Sequence, residues 1–144
     1  MDLLGEKPVL EFDESTRIFS RHENEAPQYV GADAIVENSS ITEGCEIHGK
    51  VEHSVLFGDV RIEPGAVVRD SILMGNISVE AGAVIEYAII DSDCTVGAKA
   101  TVGKARRDGG RLTVIGAETE VSAKQTVPDG VMVPAGSAEY KKEV

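Results

Sequence analysis

Four cations fall within eight residues of an otherwise acidic chain: Lys104, Arg106, Arg107 and Arg111, with Gly109 and Gly110 between the last two arginines. Guanidinium groups grip phosphate through paired hydrogen bonds, and glycine lets the backbone approach a ligand, so this segment is the best candidate for an anion site. The plainer expectation is a solvated loop tip. His48 and His53 are the candidates for proton transfer, set against a reading as surface side chains on a tight corner. Cys45 and Cys94 are expected to pack, because a metal site needs more ligands nearby. Arg61 and Arg69 are expected to point outward. No residue is assigned a catalytic or metal-binding role.

The rest of the chain limits what these groups can serve. A net charge of -11 repels nucleic-acid phosphates and anionic lipid, which argues against both as partners. No apolar run approaches the ~20 residues that span a bilayer, and no secretion signal opens the chain. With two cysteines, this reads as a cytoplasmic protein with reduced thiols. Its 144 residues suit one domain, and with aromatics at 4% and no Trp the core must be stacked Val, Ile, Leu and Ala.

The elements that must position the candidate groups are legible as a repeat. Aliphatics stand at Val30, Val36, Ile41 and Ile47, then at Leu56, Ile62, Val68, Leu73, Val79, Ile85, Ile90, Val96 and Val102. From Leu56 the steps run 6, 6, 5, 6, 6, 5, 6, 6, a period of 17 residues. Two positions before many of them sits a small residue: Ala34, Ser39, Cys45, Ala66, Ser71, Ala83, Ala88, Cys94 or Ala100. Gly44, Gly65, Gly82 and Gly130 follow three positions after an aliphatic, where positive φ would turn a corner. A 3.6-residue helix cannot hold this spacing on one stripe, and antiparallel strands would space their turns more widely. A triangular coil explains it: each side points one aliphatic inward, and the five-residue step is a tighter corner.

The expected fold is therefore all-β, a single-stranded parallel β-helix of hexapeptide-repeat type over residues 30–136. Residues 1–29 break the pattern and are expected to be a connector and N-terminal cap; residues 137–144 form a charged, frayed tail. The column breaks at residues 104–111, an external loop, and resumes at Ile115, Val121, Val127 and Val133. Pro128 and Pro134 mark a final edge.

Two sets of residues carry a resemblance. Met1-Asp2-Leu3-Leu4, Arg17-Ile18-Phe19-Ser20 and Ala26-Pro27-Gln28-Tyr29-Val30 resemble the linker that follows the catalytic domain of bacterial glucose-1-phosphate adenylyltransferases. Gly44-Cys45-Glu46-Ile47-His48-Gly49-Lys50-Val51-Glu52-His53-Ser54-Val55-Leu56-Phe57 is similar to the first coils of their β-helix, with the same shortened coil between Ile47 and Leu56. The left hand of the β-helix is what resemblance to hexapeptide proteins implies.

The resemblance further implies a parent enzyme that makes ADP-glucose and pyrophosphate from ATP and glucose 1-phosphate, with Mg²⁺, for glycogen synthesis. That chemistry belongs to an N-terminal domain with a glycine-rich phosphate loop; Gly109-Gly110-Arg111 is too short to be one, so this segment is expected to be inactive alone and to need no cofactor. The β-helix is expected to serve assembly, as a homotetramer together with its own catalytic domain, and control by a sugar-phosphate effector. Lys104, Arg106, Arg107 and Arg111 resemble the arginine cluster that binds fructose 1,6-bisphosphate in enteric members. Two alternatives stand beside this: a free-standing hexapeptide acyltransferase with His48 or His53 as base, and a scaffold without ligand.

Overall fold

The computed structural model describes residues 26–137. Most of the expected connector and cap, and all but the first residue of the expected tail, lie outside the described residues. Within them the chain winds through eighteen short strands that close three six-stranded parallel sheets. Sheet A holds β1 (Tyr29–Val30), β4 (Glu46–Ile47), β7 (Val60–Ile62), β10 (Ile77–Val79), β13 (Thr95–Val96) and β16 (Glu120–Val121). Sheet B holds β2 (Ile35–Glu37), β5 (Lys50–Glu52), β8 (Val67–Arg69), β11 (Val84–Glu86), β14 (Thr101–Gly103) and β17 (Thr126–Val127). Sheet C holds β3 (Ser40–Ile41), β6 (Val55–Leu56), β9 (Ile72–Leu73), β12 (Ala88–Ile90), β15 (Thr113–Ile115) and β18 (Met132–Val133). Every strand pairs with the strand three before or after it, so three consecutive strands make one coil of a triangular prism, a β-solenoid consistent with the left-handed β-helix expected.

The aliphatic column is the core. Ile47, Leu56, Ile62, Val68, Leu73, Val79, Ile85, Ile90, Val102, Ile115 and Val127 are fully buried, and Val96, Val121 and Val133 nearly so. Each burial contributes roughly 1.5 to 3 kcal/mol before entropy is counted. Stacking is in register: Leu56 lies beside Leu73, Val68 beside Ile85 and Ile62 beside Val79. Val30, Val36 and Ile41 belong to the first coil, where Val30 is exposed and the other two are half-buried. The reading of one aliphatic per side missed Val60 and Ile77, and the six-residue step missed Val51, which stacks between Val36 and Val68; all three are buried. Strands β7 and β10 point two residues inward each.

The corners follow the expected chemistry. Gly44, Gly65, Gly82 and Gly130 all have positive φ, between 73° and 80°. The five-residue step always falls between sheets B and C, where Asn38, His53, Asp70 and Tyr87 take φ of 44° to 51°. That corner is also held by hydroxyls. Ser39, Ser54 and Ser71 each donate to the carbonyl two residues back and accept the amide of the next coil, from Ser54, Ser71 and Ala88 respectively. Small residues stand here because a larger side chain would block that bond.

Candidate functional site

The corner between sheets B and C is where the 17-residue spacing brings the candidate groups together. His53, Asp70, Tyr87 and Lys104 are successive members of one column, and the inserted loop springs from the last of them. After Lys104 the chain makes one 3₁₀ turn, Arg106–Asp108, closed by Gly109 in the left-handed region with φ 79°. The amides of Gly109 and Gly110 donate to the carbonyls of Arg106 and Ala105, and Ala105 itself is buried. The expected external loop is thus a short folded element lying back along the corner.

This path divides the four cations. Arg111 turns to Asp129: its amide donates to Oδ2 at 3.0 Å and its Nε lies 3.5 Å from the same oxygen. The Arg111 amide, then its guanidinium, and the charge of Lys104 hold the Asp129 carboxyl below its ordinary range. Arg106 rests over the Tyr87 ring at 5.8 Å, a cation–π distance. Arg107 lines a cleft of about 390 Å³ with Lys50, Glu52, His53, Arg69 and Asp70. Arg106 and Arg107 are exposed and have no carboxylate partner among the described residues.

The floor of that cleft is a ladder of paired charges. Arg69 donates from Nε to Glu52 at 2.6 Å and from Nη1 to Glu86 at 3.1 Å, and Lys50 sits 2.8 Å from Glu52. These contacts hold the Glu52 carboxyl below its usual range, Lys50 first and Arg69 second, and push the Arg69 guanidinium up, chiefly through Glu52. Lys50 and Arg69 are therefore already spent on carboxylates. An entering anion would meet Arg107 and the outer edge of His53, whose Nδ1 is 2.7 Å from Asp70. That contact fixes the orientation of the His53 ring.

The remaining candidates do not join this site. His48 sits at the shortened corner with Nε2 2.8 Å from Glu46, and its ring is tilted against Tyr29. The hydrogen bond from His48, ahead of the charge of Arg61, lowers the Glu46 carboxyl. Arg61 pairs outward with Glu63 at 2.6 Å, as expected for a coil surface. Cys45 and Cys94 are buried, their thiols hydrogen-bonded to the carbonyls of Phe57 and Gly116, and burial raises both thiol pKa values. Among the described residues no group of His, Cys, Asp or Glu is placed to hold a metal ion, and no helix is long and apolar enough to cross a membrane.

The model of the GlmU-like, C-terminal hexapeptide family matches residues 26–118. The glucose-1-phosphate adenylyltransferase of Geobacillus stearothermophilus is 51% identical over 70 residues, which is 48% of this chain and 18% of that protein. The enzyme of the same name from Bacillus mycoides (strain KBAB4) is 49% identical over 71 residues, or 49% and 19%. The chain thus spans less than a fifth of these relatives, and the match falls in their C-terminal part. Among solved structures, the acetyltransferase domain of PglB from Neisseria gonorrhoeae FA1090 superposes with a TM-score of 0.61 over 76% of this chain and 55% of that one, at 22% identity, a likeness of fold. With its family model covering more than half of the residues and its coils formed as that repeat requires, this chain belongs to the GlmU-like, C-terminal hexapeptide family.

Proposed function

We propose that this chain is the regulatory and assembly domain of a glucose-1-phosphate adenylyltransferase, cytoplasmic and homotetrameric, whose catalytic domain makes ADP-glucose from ATP and glucose 1-phosphate for glycogen synthesis. The observation that carries the reading is the identity of about half over 70 residues to enzymes of that name. Among the described residues there is no strand, glycine-rich loop and helix in sequence to cradle a nucleotide, and no carboxylate cluster suited to Mg²⁺. ATP and Mg²⁺ accordingly belong to the catalytic domain in this proposal, and the β-helix acts by binding an effector rather than by chemistry.

The effector is an anionic sugar phosphate seated against the loop, with Arg107 as its principal ligand and Lys104, Arg106 and Arg111 supporting it. Among the described residues Arg107 has no carboxylate partner, which in a chain of net charge -11 favours this, since such a guanidinium is free to take a phosphate. Arg111 contributes less, because Asp129 already holds it. In the enzyme that carries this domain, Arg107→Ala should raise the sugar bisphosphate concentration for half-activation about tenfold or more, as loss of a charge-assisted hydrogen bond of about 1.5 to 3 kcal/mol requires. Arg111→Ala should have the smaller effect, with unstimulated turnover nearly intact in both. Unchanged activation in both variants would remove the effector site.

A second reading rests on His53 and Asp70. An imidazole oriented by a carboxylate at 2.7 Å is the arrangement a hexapeptide acyltransferase needs for a general base. Incubation with acetyl-coenzyme A and amino-sugar acceptors separates the two: transfer that His53→Ala abolishes would favour the acyltransferase.

A further inference from the structure

We propose that the outer face of sheet C is the contact between two copies of this chain, packed with their prism axes parallel about a two-fold axis that runs along them. This sharpens the assembly role above and rests on it. A failure of sugar-phosphate binding would leave the dimer untouched, and absence of a dimer would leave the effector site standing.

The three outer faces differ in kind. On sheet A the outward column reads Glu46, Arg61, Ser78, Thr95 and Glu120, polar throughout. On sheet B one outward column is the ion ladder Glu37, Glu52, Arg69 and Glu86, and the other runs Ile35, Lys50, Val67, Val84, Thr101 and Thr126, broken by the charge of Lys50. Sheet C instead stacks Val55, Ile72, Ile89, Val114 and Met132 in unbroken register, without a charge. Phe57 and Met74 at one border, Leu112 at the other and Met132 within it are exposed large hydrophobics. Outside the first coil, all such residues among those described lie on or beside this one face. A groove of about 320 Å³ between the loop and the face is floored by Ile72 and Ile89 and walled by Tyr87, Arg106 and Leu112.

The borders say what covers the face. Turns from sheet C to sheet A carry Glu43, Asp59, Asp91, Asp93 and Glu118 and no Lys or Arg. The opposite border, from sheet B to sheet C, carries Lys104, Arg106, Arg107 and Arg111 against Asp70, Asp108 and Asp129, so it is weakly cationic and is the one of the two that holds Lys or Arg. A two-fold axis across the prism would set acidic border on acidic border, and cationic on cationic. An axis along the prism sets each acidic border against the partner's cationic one, twice, as an isologous contact requires. Arg106 springs from the fifth coil, but its guanidinium rests on Tyr87 of the fourth, the coil that ends in Asp91 across the face, so this operation brings Arg106 towards the copy's Asp91. Six strands spaced about 4.8 Å apart, with their borders, give a contact of about 1,000 Å² in total, at the lower limit for a specific dimer.

Sedimentation of the full 144-residue chain over a hundredfold concentration range tests this. The chain should pass from monomer to dimer, and Ile89→Lys should weaken the dimer about tenfold or more while leaving the thermal melt of the dilute monomer unchanged, since Ile89 points outward. Arg106→Asp and Asp91→Arg should each weaken it, and the two together in one chain should restore it, because the exchanged charges still meet across the parallel axis. A chain that stays monomeric, one that forms trimers, or a dimer indifferent to Ile89→Lys would overturn the proposal. A double variant no tighter than its parents would overturn the parallel two-fold.

Discussion

Two corners depart from the 17-residue coil, in opposite directions. Between β4 and β5 the chain is two residues short, so that Val36 pairs with Val51, 15 positions on. Between β14 and β15 it is eight residues long, so that Ile90 pairs with Ile115, 25 positions on. Neither change disturbs the register of the aliphatics above and below. A solenoid held by nearest-neighbour stacking thus edits its length at the corners, and the two edits serve different ends. The short corner has no room: a Cβ on Gly49 would collide with the Ala66 carbonyl and lie 2.8 Å from that of Glu63. The long corner has space to present Arg106 and Arg107 to solvent.

If stacking rather than corner chemistry holds the molecule together, the largest loss should come from the column. Ile85→Ala, at a fully buried site in a regular coil, should cost about 2 to 5 kcal/mol by urea denaturation. A cost like that of the outward Ser78→Ala would break the comparison. The corners themselves should separate next. Gly49→Ala should cost about 1 to 3 kcal/mol through overpacking. Gly109→Ala, at φ 79° with open space around its Cβ, should cost only the backbone penalty of about 1 kcal/mol. Equal losses would mean that the short corner is not tight. The smallest effect lies on the charge ladder beneath the loop. The Glu52 carboxyl binds a proton less readily folded than unfolded, so its stabilisation is complete above the ordinary value of about 4.3 and disappears as pH falls through the depressed folded value. Glu52→Gln should therefore flatten the acid limb of the melting-temperature profile and leave its shape above neutrality unchanged; a change confined to alkaline pH would contradict the ladder.

Much of this was legible because the interior demands one residue type at a fixed interval. Leu56, Ile62, Val68 and Leu73 could be placed from spacing alone, and so could the positive φ of Gly65 and Gly82. Val60 and Ile77 were missed since the reading asked for one aliphatic per side, whereas a three-residue strand can turn two inward; Val51, the one inward residue of β5, was missed because the short corner sets it four positions after Ile47, off the six-residue step. The meeting of His53 with Arg107 was also missed, although the signal was present: positions 53, 70, 87 and 104 differ by 17 and so share a corner. The split of the cations between Asp129, Tyr87 and the cleft was not legible. It follows from the 3₁₀ turn, whose backbone path no repeat encodes.

The uniform coil also makes the prism a ruler. Each turn advances by one strand spacing, about 4.8 Å, whatever the length of its corners, so from the first coil to the sixth the advance is about 24 Å. Whatever adjoins the first coil therefore stands at a fixed height from the loop that leaves the fifth. Gain or loss of a single coil would shift that height by one graduation without altering the cross-section, which gives such a domain a discrete means of setting the reach between a bound ligand and the body it regulates.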